Sequence, residues 1–177
     1  MIAAFITASV TTFLAEPVKT FFENRTRKNN LKIILYKELL INYEGLLDYI
    51  SEKHDVGGVY NKLMMKHGVR TEGFRHAMEN ELSLFYQLPE SIDISILHNR
   101  LLALLQNTDY GDEQINTLVR SDFNDSAKEF IETFALYLYK DRFDNKLIQK
   151  LVSKDEYLNM LKMGGWVDLE IRAQEAS

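Results

Sequence analysis

Cysteine is absent from this chain, and proline and glycine are scarce, with two and eight residues among 177. The lack of cysteine excludes disulfides, thiolate metal sites and cysteine nucleophiles, and it fits a reducing compartment. A β-rich fold of this length needs many more turn residues, so the scarcity of proline and glycine favours long helices. The hydrophobic content of 46% excludes a disordered chain as the main state.

Motifs that bind phosphate or carry hydrolytic chemistry are missing as well. The sequence has no phosphate-binding glycine loop, no nucleophile-elbow serine and no zinc-protease histidine pair. Glu72, His76 and Glu79 share one predicted helix face and could supply part of a metal-ligand set, but no second face completes it. Solvated surface residues explain these three better. We therefore expect a non-enzymatic protein without catalytic residues, cofactor or bound metal.

The net charge of −5 is divided unevenly along the chain. Between Lys19 and Lys37, six basic residues accompany one acid and give +5, whereas the rest of the chain carries 15 basic and 25 acidic residues. A basic stretch beside an acidic body indicates one anionic contact surface, and the body should repel nucleic acid. The residues predicted to contact anionic lipid headgroups, at about 1 kcal/mol each, are Arg25, Arg27, Lys28 and Lys32.

The N-terminal stretch is apolar. Residues 1–15 contain no charged side chain, and Phe21-Phe22 closes the stretch just before the basic residues. Fifteen residues of helix reach about 22 Å, which is short of a hydrocarbon core of about 30 Å. A helix carried to Phe22 reaches about 33 Å, with Glu16 and Lys19 near one end, where charged side chains can extend to the headgroups. Residues 1–23 are therefore predicted to form a membrane-spanning or membrane-associated helix. Positive charge just after a span places the N-terminus outside the cell membrane and the body in the cytoplasm.

One face of this predicted helix carries small and hydroxyl side chains. Ala4, Ala8 and Thr12 recur every four residues, a spacing that lets helices approach closely in lipid. Thr7 and Thr11 add a polar face beside them. We expect these five residues to mediate self-association into a homo-oligomer.

Three other readings of the stretch stay open. It could lie in the membrane interface or dock in a partner's groove, as amphipathic helices do. It could be a terminal helix buried in a soluble core. A cleaved signal peptide is the least favoured, since a basic leader and a small-residue cleavage site are missing.

The remaining sequence predicts an all-α fold, in which the membrane-seeking helix continues into a long helix and a small helical bundle follows. No segment shows sustained period-two alternation, so little or no sheet is expected. A capping box at Ser153 begins the last helix, and Gly164-Gly165 is expected to end it. Trp166 is expected to pack within the chain rather than in a partner interface. The predicted helices cover residues 17–54, 59–67, 71–88, a segment from 91 or 93, and 112–142.

These observations define three regions and three functional hypotheses, of which a helical enzyme with a site assembled from scattered polar residues is the least favoured. The regions are a membrane helix at 1–23, a helical cytoplasmic bundle at 24–165 and a tail at 166–177. The preferred hypothesis is a single-pass membrane protein that self-associates, forming a pore or membrane-perturbing assembly with the body as sensor or gate. The alternative is a soluble helical adaptor or subunit whose N-terminal helix docks on a partner protein.

Overall fold

The computed structural model describes the backbone of residues 2–51, 68–107 and 117–176, and the side chains of residues 20–50, 68–105 and 123–176. Within these ranges every regular element is a helix, which confirms the all-α prediction. The helices are α1 (Ile2–Ser51), α2 (Glu72–Asn80), α3 (Leu82–Phe85), α4 (Ser91–Asn107), α5 (Thr117–Tyr139), α6 (Asn145–Leu151) and α7 (Lys154–Glu175). The helix predicted over 59–67 lies outside the described residues.

Helix α1 is one uninterrupted helix of 50 residues. At 1.5 Å per residue it is about 75 Å long, far longer than a small domain needs. Its described side chains divide it in two. We call Thr20–Asn30, where every side chain is exposed except the half-buried Lys28, the exposed segment. We call Leu31–Ile50, which carries the core residues of α1, the packed segment.

The packed segment runs antiparallel to α5. Ring pairs mark the alignment: Tyr36 contacts Phe143 just beyond the end of α5, and Tyr43 contacts Phe134. Nearer the start of α5, Phe123 contacts Tyr49. The core-facing leucines of α1 recur at helical spacing, because positions three or four apart lie on one face. They are Leu31, Leu35, Leu39, Leu40 and Leu46, and Leu97, Leu101 and Leu104 of α4 belong to the same core.

Helix α7 crosses α5 at very close range. A Cβ atom on Gly164 would stand 2.2 Å from the carbonyl oxygen of Ala135, so only glycine fits at this crossing. The prediction that Gly164-Gly165 ends the last helix is wrong, because α7 continues through both residues to Glu175. The two glycines serve helix contact here, and Gly165 lies against the ring of Tyr139. The predicted capping box at Ser153 is confirmed.

Two turns differ from the predicted helix boundaries. The helix expected over 71–88 is broken at Glu81 into α2 and the short α3. Helix α5 ends at Tyr139 and is followed by Asp141, a non-glycine residue with a φ of 53°. Aspartate tolerates this left-handed conformation better than most side chains, and Arg142 N–H closes the helix end on the carbonyl of Tyr137. This turn returns the chain to the side of α1.

Candidate functional site

The exposed segment of α1 carries two large aromatic side chains that the body does not cover. Phe21 is 62% exposed and Phe22 is 59% exposed. Their rings meet edge to face with centroids 5.9 Å apart. This aromatic pair lies on the N-terminal side of the basic residues, at the end of the body from which α1 extends.

The basic residues of this region differ in their contacts. Arg25 is exposed on α1. Arg27 forms an exposed ion pair with Glu81 at 3.7 Å. Lys28 donates a hydrogen bond from Nζ to the main-chain oxygen of Gln87 at 2.5 Å. Arg27 and Lys28 thus bind the segment around α3 to the side of α1.

Lys32 lies deeper than the other three predicted lipid contacts. Its side chain is only 17% exposed and its Nζ lies 2.8 Å from Oε1 of Glu90. A second carboxylate, on Asp144, lies 3.3 Å away. The charge of Lys32 is therefore neutralised within the body, and we assign it no lipid contact. For Arg25, Arg27 and Lys28 the assignment stays a prediction.

A buried tyrosine extends this ion pair into the core. Tyr36 donates a hydrogen bond to Oε1 of Glu90 at 2.5 Å and accepts one from the N–H of Asp144 at 2.9 Å. Burial raises the pKa of the Tyr36 phenol, and the neighbouring Glu90 carboxylate adds to the rise. Asp144 also caps α6 by accepting from the N–H of Leu147. Burial alone would raise the pKa of Asp144, but the Leu147 N–H and Lys32 lower it below its ordinary value.

A second polar cluster lies further along α1, around Glu38. Its carboxylate accepts hydrogen bonds from the N–H groups of Gly73 at 2.6 Å and Phe74 at 3.0 Å. These belong to the first turn of α2, where helical N–H groups lack partners within the helix. Because Thr71 makes no capping hydrogen bond through its side chain, Glu38 supplies the cap from another helix.

Glu38 also pairs with a fully buried histidine. His98 Nε2 lies 2.8 Å from Oε1 of Glu38, and Nδ1 lies 3.0 Å from the carbonyl oxygen of Ile94. A carbonyl only accepts, so Nδ1 carries a hydrogen. The ring stacks on Phe74 at 4.4 Å. Burial opposes ionisation of Glu38, but the hydrogen bonds from His98 and from Gly73 lower its pKa below the usual range. The cluster has the character of a structural joint between α1, α2 and α4.

One turn further along, Asn42 makes a pair of hydrogen bonds to a single residue. Its Nδ2 donates to the carbonyl of Arg70 at 2.7 Å, and its Oδ1 accepts from the N–H of Arg70 at 2.7 Å. A buried amide that satisfies a main-chain donor and acceptor together fixes the path of the chain entering α2. Glu38 and Asn42 of the packed segment therefore hold the neighbouring backbone that leads into α2.

A separate apolar groove lies between α1, α5 and α7. It has a volume of about 260 Å³, and its lining includes Leu47, Ile131 and Met163. Trp166 forms one wall, yet the indole is 68% exposed, which corrects the expectation that it packs within the chain. Nearby, Asp168 pairs with Lys140 at 2.7 Å and with Arg172 at 2.8 Å. The hydrogen bond from Lys140 is the main reason that the pKa of Asp168 is lowered.

No group of three or more side chains in the described ranges could hold a metal ion. Glu72, His76 and Glu79 share α2, but His76 faces Asn80 at 3.1 Å, and Glu72 reaches back to the N–H of Thr71. Within the same limits, no helix is long and apolar enough to cross a membrane. The predicted oligomer residues, which are Ala4, Thr7, Ala8, Thr11 and Thr12, lie outside the side chains that the structure describes.

Sequence reasoning missed the Glu38–His98 pair and the groove. A signal for the pair existed: His98 lies four residues after Ile94 and three before Leu101, so it shares their apolar helix face. A histidine at such a position requires a buried partner. Nothing local identifies that partner as Glu38, which is 60 residues away.

Comparison with known proteins adds no relative: no family model, no curated protein and no solved structure matches this chain.

Proposed function

We propose that this chain is a non-enzymatic, membrane-anchored protein in which the N-terminal part of α1 holds a helical body at the cytoplasmic side of a membrane. The observation that carries the proposal is the exposed segment, where a continuous helix leaves the body at Leu31. Phe21 and Phe22 are followed three residues later by Arg25, and phenylalanine beside basic residues is typical of helices at a membrane–water interface. The apolar residues 1–15 precede them.

The competing reading of a terminal helix buried in a soluble core is weakened by the same exposure. Such a helix turns back or lies along the body, and its neighbouring side chains become covered. From Thr20 to Arg27 every side chain is instead exposed. Lys28, which donates a hydrogen bond to Gln87, is the first side chain after Thr20 that is half-buried, and the core begins at Leu31.

Vesicle flotation of the full-length protein tests the proposal. We expect it to float with phosphatidylcholine vesicles that contain phosphatidylserine. Val10→Glu introduces a charge into the apolar stretch and should abolish flotation, since a charge in the bilayer centre costs about 3 kcal/mol or more. The matched control is Leu169→Glu, which places the same charge at a residue that is 65% exposed on α7, and it should float normally.

An alkaline carbonate wash then separates the two forms of membrane contact. A helix that spans the bilayer stays with the lipid, whereas an interfacial helix is released. Full-length protein that remains in solution with every vesicle composition contradicts the proposal. That outcome favours the alternative of a soluble adaptor whose N-terminal helix docks on a partner protein.

Self-association is the second part of the proposal and concerns the face that contains Ala4, Ala8 and Thr12. Ala8→Leu should lower the oligomer size measured in detergent by light scattering, because the larger side chain separates two closely packed helices. Ile6→Leu, on the opposite face, is the control and should leave the oligomer intact. A monomer at all detergent ratios contradicts this part, and with it the formation of a pore.

A further inference from the structure

A second group of exposed apolar side chains extends from α3 to the first turn of α4. Ile92 is 71% exposed, Tyr86 is 61% exposed and Leu82 is 44% exposed. We call these three residues the α3 patch. Phe85 and Leu88 of the same segment are fully or almost fully buried. The segment is therefore anchored in the core through Phe85 and Leu88, and this packing positions its outward apolar side chains.

The α3 patch lies beside the point where α1 leaves the body. Arg27 pairs with Glu81, directly before Leu82, and Lys28 donates to the carbonyl of Gln87, directly after Tyr86. Lys28 follows Phe22 by six residues, which is about 9 Å along the helix axis. The aromatic pair of the exposed segment and the α3 patch thus belong to the same end of the molecule.

The carboxylates of this segment are all paired with cations from elsewhere in the chain. Glu81 pairs with Arg27, Glu90 with Lys32, and Asp93 with Arg142. These three are the only acids between residues 81 and 93. An anionic surface therefore meets apolar side chains whose neighbouring carboxylates are each paired with a cation, so charge repulsion is reduced.

We propose that the α3 patch is a second membrane contact, in which Leu82, Tyr86 and Ile92 enter the headgroup region while α1 anchors the chain. The inference rests on the proposed function, because it names a further part of the same lipid surface. A bilayer is the occupant that these observations favour: the patch lies at the end of the body from which the aromatic pair of α1 extends, and apolar side chains beside cations, here Arg27 and Lys28, are typical of interfacial binding. Two membrane contacts, through α1 and through the α3 patch, would fix the tilt of the body relative to the membrane. A single helix would leave that tilt free.

The single tryptophan of the chain makes this orientation measurable. Trp166 lies in the groove beside Leu47, and Leu47 is 19 residues beyond Lys28 on α1, about 28 Å along the axis. In the natural protein, tryptophan emission should therefore stay unchanged when vesicles are added. In the double variant Trp166→Phe, Tyr86→Trp, emission should shift to the blue and be quenched by lipids labelled near the headgroup.

A binding measurement completes the test. Ile92→Ser should weaken partitioning into phosphatidylserine-containing vesicles by about fivefold to tenfold, since burying such a side chain contributes one factor of ten or somewhat less. Leu169→Ser, an equally exposed position on α7, should change it by less than about twofold. Both positions are exposed, so both variants should keep the circular dichroism spectrum of the folded body.

The outcomes separate this inference from the proposed function. Normal flotation with no spectral change at Tyr86→Trp overturns the α3 patch as a lipid contact and leaves the anchor in place. A shift of Trp166 in the natural protein also overturns it, because the body would then lie along the membrane. A dimer that forms without vesicles and is lost in Ile92→Ser identifies the patch as a protein interface instead. Absence of flotation removes the anchor itself.

Discussion

The two segments of α1 belong to one helix but differ in what stabilises them. In the packed segment, leucines and tyrosines are covered by α4 and α5, and Glu38 and Asn42 hold the backbone leading into α2. The exposed segment contacts the body through polar side chains such as Arg27 and Lys28, and it contributes no buried apolar residue. Helices in water depend mainly on tertiary packing, so the packed segment nucleates the helix and the exposed segment extends it. A helix can therefore continue without interruption beyond the end of the folded body.

This comparison separates two kinds of role within one element. Substitutions in the packed segment should change the free energy of unfolding and leave membrane binding to the folded fraction intact. Substitutions in the exposed segment should do the reverse. The following predictions test that division, in order of decreasing effect.

The largest effect is expected at Glu38. Glu38→Ala removes the partner of fully buried His98 and the acceptor for two N–H groups of α2. Breaking a buried pair by removing one member costs about 3–5 kcal/mol, which urea unfolding followed by circular dichroism would measure. The control is Glu44→Gln on the same helix, where burial and nearby Glu156 raise the pKa of the carboxyl. That variant should lose no stability. Equal losses for both would contradict the capping role.

Leu39 and Phe22 give the direct comparison of the two segments. Leu39→Ala empties a fully buried position and should lower the free energy of unfolding by about 2–5 kcal/mol. Phe22→Ala removes a larger side chain from an exposed position and should change it by no more than about 0.5 kcal/mol. Flotation should show the opposite order, with Phe22→Ala the weaker binder. A large loss of stability for Phe22→Ala would mean that the body covers the exposed segment.

Acid should lower the free energy of unfolding by protonating carboxylates that lie in the packed segment or pair with it. The pKa of Glu38 lies below its ordinary value of 4.5 in the folded protein, and that of Asp144 lies below 3.8. Such groups stabilise the fold above their unfolded pKa, and this contribution is lost as the pH falls through the folded pKa. Urea unfolding between about pH 7 and pH 3 should show falling stability, with a shallower decline in Glu38→Gln. An identical decline in that variant would assign the effect to other acids.

The smallest effect is expected for the exposed ion pair. Arg27→Ala breaks the contact with Glu81, but the arginine side chain is 62% exposed and solvent screens the pair. The free energy of unfolding should therefore change by less than about 0.5 kcal/mol. Vesicle binding should fall measurably and in a salt-dependent way, because the cation meets anionic headgroups. Arg172→Ala on α7 is the control and should leave binding unchanged.

Particular residues show which features of the fold could be predicted from the sequence. The lack of period-two alternation predicted an all-helical fold, and the Ser153 capping box predicted the start of α7, because both signals are local. The prediction that Gly164-Gly165 ends a helix was wrong because the deciding contact is not local. Glycine ends helices and also permits close helix crossings, and the choice depends on Ala135, which is far away in sequence.

The basic residues show the same limit. As a cluster in sequence, Arg25 to Lys32 indicated one anionic contact surface. The fold divides them, since Lys32 lies against Glu90 and Asp144 whereas Arg25 stays exposed. Charge counted along the chain cannot distinguish a cation that meets a carboxylate 112 residues away from one that meets solvent.

The amino-acid sequence by itself determined the helical class, the length of α1 and the succession of apolar stretch, aromatic pair and cations, because each depends on neighbours within one or two helical turns. Tertiary structure decided where α1 leaves the body, which carboxylates are neutralised, and why His98 can be buried. It also decided that Trp166 is exposed and that the α3 patch lies beside the exit of α1. These features depend on contacts between residues tens of positions apart, and such contacts exist only once the helices are packed.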